Sequence, residues 1–183
     1  WRGYTIELMD FAQQAGVTTF VTLGALMADV AHSRSIPVSA TSEDDVTMHR
    51  FDLEPSGYEG PTGIIGVLAD AATQAGLTTI SCWAAVPHYA GHSPSPKATL
   101  ALLNRLAQLL DLPIDTGDLP AEAQTWEGNI DVLAESDEEI AEYVDALEKA
   151  QDTAELPEAS GDAIAREFER YLRNRPPEKP EEP

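Results

Sequence analysis

The sequence predicts an α/β protein in which neighbouring parallel strands are covered by helices. The first observation is a repeat, because residues 12–35 align with residues 72–95 at a constant offset of 60 without a gap. The second is that each copy reads as a helix stopped by a glycine, at Gly16 or Gly76, followed at once by a β-branched apolar run. This is the αβ half of a βαβ unit, and two such units lay parallel strands side by side. The repeat therefore predicts that Phe20 and Ile80 lie on neighbouring strands of one sheet.

Hydrophobic periodicity and turn residues define the individual elements of this α/β part. Ser95 is a candidate N-cap and Pro96 follows it at the first helical position, so the pair predicts the start of a helix. The predicted elements, in chain order, are helix 2–15, strand 17–23, loop 24–35, a hairpin of strands 36–41 and 46–53, helix 62–75, strand 77–83, loop 84–95 and helix 96–110.

Charge divides the chain into two parts. Of the formal net charge of −21, the part from residue 111 onward carries −16, from 6 basic and 22 acidic side chains. We predict a core over residues 1–118, an acidic helical extension over 119–175 and a disordered tail over 176–183. The acidity is typical of a solvated surface, and docking of a basic partner is the alternative.

Three helices are predicted in the extension. The first covers 120–134, the second begins at a capping box formed by Ser136 and Glu139, and the third covers 162–173. Their apolar stripes indicate packing on the core, with subunit contact as the alternative. At the other end, the helix at residue 2 begins without a visible capping residue. This suggests that sequence upstream of Trp1, including strands of the sheet, belongs to the intact protein.

The composition argues against several functional classes. The chain has no basic stripe that could displace counterions from nucleic acid or dock on anionic lipid. No apolar run approaches the roughly 18 residues that a membrane helix needs. The single cysteine, Cys82, excludes an internal disulfide framework and a cysteine-cluster metal site. We therefore expect a soluble cytoplasmic protein without nucleic-acid or membrane partners.

Histidines in the two equivalent loops are the candidates for a ligand pocket. His32 lies in the first loop, and His88, Tyr89 and His92 lie in the second. Loops that follow parallel strands lie at the carboxyl edge, where α/β folds bind ligands, so both loops are expected to line one crevice. Histidines satisfied by backbone groups are the structural alternative. The spacing of His88 and His92 also suits zinc, but the surrounding prolines and glycines argue against a helix there.

A glycine pattern precedes the second helix, with Gly60, Gly63 and Gly66 at intervals of three. Backbone amides at a helix start can hold an anion, so Gly60 and Gly63 join the candidate pocket. The pattern matches no nucleotide-binding motif. The structural alternative is that Gly60 forms a turn and that Gly63 and Gly66 let the helix approach the sheet closely.

Nucleophilic catalysis has little support in the sequence. Cys82 lies inside an apolar strand, which is typical of an inert core thiol, and no nucleophile elbow is present. We therefore assign no catalytic residue, no metal ligand and no cofactor.

The segment 57–114 resembles the bacterial branch of the proteasome assembly chaperone 2 family. The landmarks are Gly60-Pro61-x-Gly63, the run Ala85-Val86-Pro87-His88-Tyr89, and Pro96 followed by a helix of the ALLNRL type. The opening WRGYTIELMDFAQQAGV and the closing AEYVDALEKA and AREFERYLRNR extend the resemblance over nearly the whole chain.

The resemblance implies a three-layer α/β sandwich similar to the phosphorylase/hydrolase-like architecture, with a mostly parallel mixed sheet and a C-terminal helical extension. It also implies that roughly the N-terminal third of the intact protein lies upstream of this sequence. Eukaryotic relatives assist assembly of the proteasome ring, bacterial relatives form homo-oligomers, and the family supplies no catalytic set. These expectations favour a non-enzymatic, self-associating protein-interaction or assembly factor, with a trimer preferred and another protein as a further partner. A hydrolase- or phosphorylase-type small-molecule binder or enzyme, with its pocket near His32, His88 and His92, is the alternative.

Overall fold

The computed structural model describes residues 1–57, 60, 62–91 and 94–155. These residues form a mixed three-stranded sheet, six α-helices and one 3-10 turn. The elements in chain order are α1 (Arg2–Gln14), β1 (Thr19–Ala28), β2 (Val38–Thr41), α2 (Asp45–Phe51), α3 (Ile64–Gln74), β3 (Thr78–Pro87), the 3-10 turn His88–Ala90, α4 (Pro96–Leu110), α5 (Leu119–Glu135) and α6 (Glu138–Glu155). Among the described helices, none has the length and apolar character needed to cross a bilayer.

The two repeat copies form the parallel pair at the centre of the fold. β3 is the middle strand, with β1 parallel on one side and the short β2 antiparallel on the other. The predicted neighbourhood of the two copies is confirmed, but the register is shifted by one residue, because Thr19 pairs with Thr78 and Phe20 pairs with Thr79. Partners in a parallel pair share a face, so Ile80 lies on the face of Val21.

Two glycines turn the helices into these strands. Gly16 has φ +68° and Gly76 has φ +79°, a left-handed conformation that glycine adopts without strain. After each glycine the backbone N–H returns to the helix, from Val17 to the carbonyl of Ala12 at 2.9 Å and from Leu77 to that of Ala72 at 3.0 Å. Both copies thus end α1 and α3 with the same six-to-one bond, as the repeat predicts.

The core lies against one face of β3. Ile80, Cys82, Ala84 and Val86 are buried on alternate positions of this strand and belong to the two main apolar clusters. α4 and α2 pack on them, with partly buried side chains that include Leu102 and Leu109 from α4 and Met48 and Phe51 from α2. α3 contacts β1 and β3, and α1 contacts α3.

The segment after β2 is a helix, so the predicted strand over 46–53 and its hairpin are wrong. The Asp44 carboxylate accepts the backbone N–H of Thr47 at 2.8 Å and caps α2, while Asp52 ends the helix in a left-handed conformation. The apolar residues that suggest a strand instead follow helical spacing, because Met48 and Phe51 face the core and Val46 is exposed. His49 is exposed on this helix.

The two parallel strands are longer than predicted. Residues 24–28 and 84–87, assigned to loops from the sequence, are strand residues. Glycine, alanine and proline make up six of these nine residues and have weak intrinsic strand propensity, and the ten-residue parallel pairing holds them extended. Within this pairing, a Cβ atom on Gly24 would lie 2.6 Å from the ring of Trp83, so the indole packs directly on the glycine backbone.

Some predicted helix features also need correction. Ser136 donates to the carbonyl of Leu133 and ends α5, whereas Asp137 accepts the backbone N–H groups of Glu139 and Ile140 and caps α6, so the predicted capping box is wrong. A Cβ atom on Gly63 would meet no atom within 4 Å, and one on Gly66 would meet only the Thr62 side chain, so neither glycine serves close packing on the sheet. The predicted helix 162–173 and tail 176–183 lie outside the described residues.

Candidate functional site

The candidate site lies at the carboxyl ends of β1 and β3. His32 follows β1, and Tyr89 lies in the 3-10 turn that follows β3. Because the strands are parallel neighbours, the two loops meet, as the repeat predicts. The Tyr89 hydroxyl lies 2.8 Å from Nδ1 of His32, and it also accepts the backbone N–H of His32 at 2.8 Å.

The imidazole of His32 is engaged on both nitrogens and is 1% exposed. Nε2 lies 2.9 Å from a carboxylate oxygen of Asp131 on α5. An ionised carboxylate only accepts hydrogen bonds, so Nε2 donates. In the neutral ring Nδ1 is then the acceptor, and the Tyr89 hydroxyl donates to it. This arrangement pairs both ring nitrogens of His32 within the protein.

Tyr89 connects this pair to the surrounding side chains. Its ring meets the His32 ring edge to face at 5.6 Å and the Tyr143 ring at 6.0 Å. Burial raises the pKa of the Tyr89 phenol, and the backbone N–H of His32 partly opposes this rise. The hydroxyl of Tyr143 donates to Asp29 at 2.8 Å, and this bond raises the pKa of the Tyr143 phenol. His88 Nε2 lies 3.6 Å from the same Asp29 carboxylate, at the exposed rim of the cluster.

A lysine of α4 joins the loop after β1 to α5. Lys97, in the first turn of α4, donates to the backbone carbonyl of His32 at 2.5 Å and to Glu127 of α5 at 2.7 Å. Since Ser95 caps α4 through the backbone N–H of Ala98, the position of Lys97 is fixed by the helix start.

α6 is tied to the same loop by polar contacts. Arg34 binds the Asp152 carboxylate through Nε at 2.6 Å and through a terminal nitrogen at 2.8 Å, and the bond to Arg34 holds the pKa of Asp152 below its usual range. The Gln151 side chain accepts the backbone N–H of Ala31 and donates to the carbonyl of Ser35, both at 3.1 Å. Ser33 donates to Glu148. α5 and α6 therefore cover the carboxyl edge of the sheet.

A small cleft of about 210 Å³ remains between these elements. His32 lies at one side of it, Ala134, Ala141 and Val144 supply apolar surface, and the acidic lining consists of Asp131, Glu135, Asp145 and Glu148. Within the described ranges, no set of three His, Cys, Asp or Glu side chains is arranged to hold a metal ion.

The candidate residues from the sequence fall into three groups. His32 and Tyr89 are brought into direct contact, and His88 lies at their rim through Asp29. Gly60 and Gly63 are exposed and do not appear in the described lining of the cleft. His92 lies outside the described residues, and membership of these residues in a ligand pocket stays a prediction.

Sequence reasoning missed the side chains that hold His32 in place. Asp131 is separated from His32 by 99 residues, and Glu127 is separated from Lys97 by 30. No local pattern marks such pairs. The only available signal was the excess of acidic residues in the extension, which we read as surface charge.

Comparison with known proteins identifies the family. The profile of the PAC2 family matches residues 1–134. The crystal structure of a PAC2 family protein from Streptomyces avermitilis is 51% identical, with a TM-score of 0.72, over 79% of this chain and 60% of that chain. A proteasome-assembly chaperone homologue of Mycobacterium tuberculosis is 45% identical, with a TM-score of 0.69, over 79% of this chain and 61% of that chain. No curated protein matches the chain.

A more distant structure supports the fold alone. The Pyrococcus furiosus protein PbaA, an archaeal homologue of proteasome-assembly chaperone, is 18% identical over 75% of this chain, with a TM-score of 0.56. The present chain spans about 60% of the length of the two bacterial structures. The resemblance read from the glycine-proline landmark and the Ala85–Tyr89 run is thus confirmed by a family match whose range, residues 1–134, includes both segments. On this evidence the chain belongs to the PAC2 family.

Proposed function

We propose that this protein is a non-enzymatic, self-associating interaction or assembly factor of the proteasome-assembly-chaperone type. The observation that carries the proposal is the state of His32. It is 1% exposed and its ring bonds Tyr89 and Asp131, so the sheet edge where α/β enzymes bind substrates is covered by α5 at this point. A sheet edge that is covered by α5 and α6 favours a role in binding other proteins over a role in binding a substrate at that edge. The relatives described as proteasome-assembly chaperone homologues support the same reading.

The helical extension is the part that we assign to partner binding. We assign residues 1–118 to the α/β core, 119–175 to the extension and 176–183 to the tail, a division supported by the start of α5 at Leu119. α6 carries seven acidic residues against one lysine. Such a helix favours a basic partner surface through electrostatic steering. For the core we propose the three-layer, phosphorylase/hydrolase-like sandwich, supported by the packing of α4 and α2 on one set of β3 residues and by separate contacts of α3 with β1 and β3.

A cytoplasmic homo-oligomer, with a trimer preferred, completes the proposal. Large apolar side chains of α1 and its N-cap support self-association, since Trp1, Tyr4 and Phe11 are each more than half exposed. Their spacing of three and seven residues places them near one face of the helix, and an exposed apolar helix face is typical of protein contacts.

Binding to purified proteasome subunits tests the proposal directly. The full chain is immobilised and titrated with the α-type and β-type subunits of a bacterial proteasome, singly and as mixtures, at several salt concentrations. We expect salt-sensitive binding to unassembled subunits and faster ring formation in light-scattering records. A variant with Glu139→Gln and Glu142→Gln, at two exposed positions of α6, removes two negative charges and should weaken binding. Absence of both binding and acceleration, together with a monomeric chain, would remove the proposed function.

A small-molecule binder is the second candidate, and one observation favours it. A cleft of about 370 Å³ lies at the carboxyl half of β1, lined mainly by apolar residues that include Met27, Val86 and Leu102. A thermal-shift screen with nucleosides, phosphate, peptides and divalent metals tests this candidate, because a ligand at 100 times its Kd adds about 2.7 kcal/mol of stability. His88→Ala and His92→Ala show whether any such gain depends on the histidine loop.

A further inference from the structure

An arginine holds α6 over the carboxyl edge of the sheet. Arg34, in the loop that joins β1 to β2, bonds one carboxylate oxygen of Asp152 through Nε at 2.6 Å and the other through a terminal nitrogen at 2.8 Å. Its other terminal nitrogen lies 3.4 Å from Glu148. Two parallel bonds between a planar guanidinium and a carboxylate make a strong and directional contact. Arg34 therefore engages two carboxylates of α6 at once.

Little apolar burial supports the closed position of α6. Among the described side chains of this helix, Val144 is the one that is buried. Apart from the edge contact between the Tyr143 and Tyr89 rings, the described ties between α6 and the sheet edge are hydrogen bonds and ion pairs. Segments with few buried apolar contacts open locally more readily than the core does. α6 is therefore able to leave the loop while the sheet stays folded.

Charge on the two helices of the extension opposes closure. α6 carries seven acidic residues and one lysine, and α5 carries four acidic residues and no basic one. Four of these carboxylates line the cleft between the helices, namely Asp131, Glu135, Asp145 and Glu148. Like charges at this spacing repel each other. The guanidinium of Arg34 offsets part of that repulsion, because it lies against Glu148 and Asp152.

The carboxylates that Arg34 engages belong to the acidic helix to which the proposed function assigns a basic partner. Both oxygens of Asp152 face Arg34, so a guanidinium from a partner cannot form the same two-bond pair while α6 is closed. A ligand shifts an equilibrium between two states only through its different affinity for them. A partner arginine that pairs with Asp152 binds the open state alone, and its binding draws α6 away from the loop.

We propose that Arg34 is an autoinhibitory contact, which occupies carboxylates of α6 that an arginine-bearing partner segment needs, and that binding of this segment releases α6 from the β1–β2 loop. The inference rests on the partner surface in the proposed function and adds its regulation. Release frees the backbone N–H of Ala31, which the Gln151 side chain accepts at 3.1 Å in the closed position. α5 stays in place through its own bonds to His32 and Lys97.

Binding of a hexa-arginine peptide with blocked ends tests the competition. Arg34→Lys keeps the net charge but loses the two-bond pair, so the open state becomes more populated. The full chain with this substitution should therefore bind the peptide about fivefold more tightly in calorimetric titrations at low salt. The matched control is Arg50→Lys on α2, because the Arg50 guanidinium lies 5.0 Å from the centre of the Phe51 ring and not on α6. The control should leave the Kd of the peptide unchanged.

Hydrogen exchange of the unmodified chain gives a second readout that needs no substitution. Saturating hexa-arginine should accelerate exchange of the Ala31 amide and of α6 amides severalfold, while β3 amides stay protected. Unchanged exchange at Ala31 under saturating peptide, or equal peptide affinity of the Arg34→Lys and Arg50→Lys chains, overturns the autoinhibition and leaves the partner surface standing. Absence of peptide binding to the unmodified chain and to both variants overturns the autoinhibition together with the basic-partner surface of the proposed function.

Discussion

Replacement of Tyr89 by phenylalanine should destabilise the protein far more than its single oxygen atom suggests. The hydroxyl is the partner of two groups of His32, the backbone N–H and Nδ1, each at 2.8 Å, and His32 is 1% exposed. A buried polar group left unpaired costs about 1–3 kcal/mol, so two such groups predict a loss of about 3 kcal/mol. For a chain of this length that corresponds to a fall of roughly 6–12 °C in Tm.

Urea and thermal unfolding followed by circular dichroism measure this loss. The matched control is Tyr143→Phe, because the Tyr143 hydroxyl also donates to a carboxylate, but Tyr143 is 39% exposed and its partner Asp29 lies largely in solvent. We expect the control to lose about 0.5 kcal/mol or less. In the His32→Ala background, Tyr89→Phe should cost much less than in the unmodified chain, since the two changes remove one interaction. Equal losses for the two tyrosine variants, or additive losses in the double variant, would refute a structural role for the His32–Tyr89 pair.

Three further outcomes follow from other parts of the structure. Gly24→Ala should destabilise the protein by about 1–3 kcal/mol in urea unfolding, because its Cβ would overlap the indole packed on it, whereas Gly57→Ala, in a loop where a Cβ meets no atom within 4 Å, should be near neutral. The hydroxyl and backbone N–H of Thr47 hold the pKa of Asp44 below its usual value of 3.8, so this carboxylate stabilises the fold above that pH and the contribution is lost as the pH falls. Unfolding measured between pH 5 and pH 2 should therefore show a shallower acid loss for Asp44→Asn than for the unmodified chain. Burial raises the pKa of the Cys82 thiol, so alkylation by iodoacetamide should begin only within the urea transition, and labelling of the native chain at neutral pH would contradict the described core.

The sequence was informative where local signals agree with the fold. Gly16 and Gly76 end their helices through their own left-handed backbone conformation, which is a local property of the sequence. The β-branched runs that follow them favour buried strands. Two such units constrain each other, because parallel strands require a helical crossover between them. The neighbourhood of β1 and β3, and the meeting of His32 with Tyr89, follow from these constraints.

The predictions of secondary structure were wrong where tertiary contacts, or a single helix cap, decide whether a segment forms a helix, a strand or a loop. Residues 46–53 alternate apolar and polar side chains over a short run, and the Asp44 cap outweighs that pattern by starting a helix. The small residues at the end of β1 have no intrinsic preference for strand and are extended by pairing with β3. At the candidate site, Asp131 lies 99 residues from His32, so only the packed arrangement of α5 shows that the two meet.

The contacts between the β1–β2 loop and α6 bear on the order in which the chain acquires its structure. Arg34 meets Asp152 across 118 positions, and Ala31 meets Gln151 across 120. Closing so long a loop carries a large entropic penalty before any bond rewards it, whereas each αβ unit forms from residues close in the chain. During synthesis the sheet emerges first, and its carboxyl rim stays uncovered until translation has passed residue 152. A nascent chain thus passes through a stage in which Arg34 lacks its partner Asp152, and α6 closes over the β1–β2 loop after the sheet has formed.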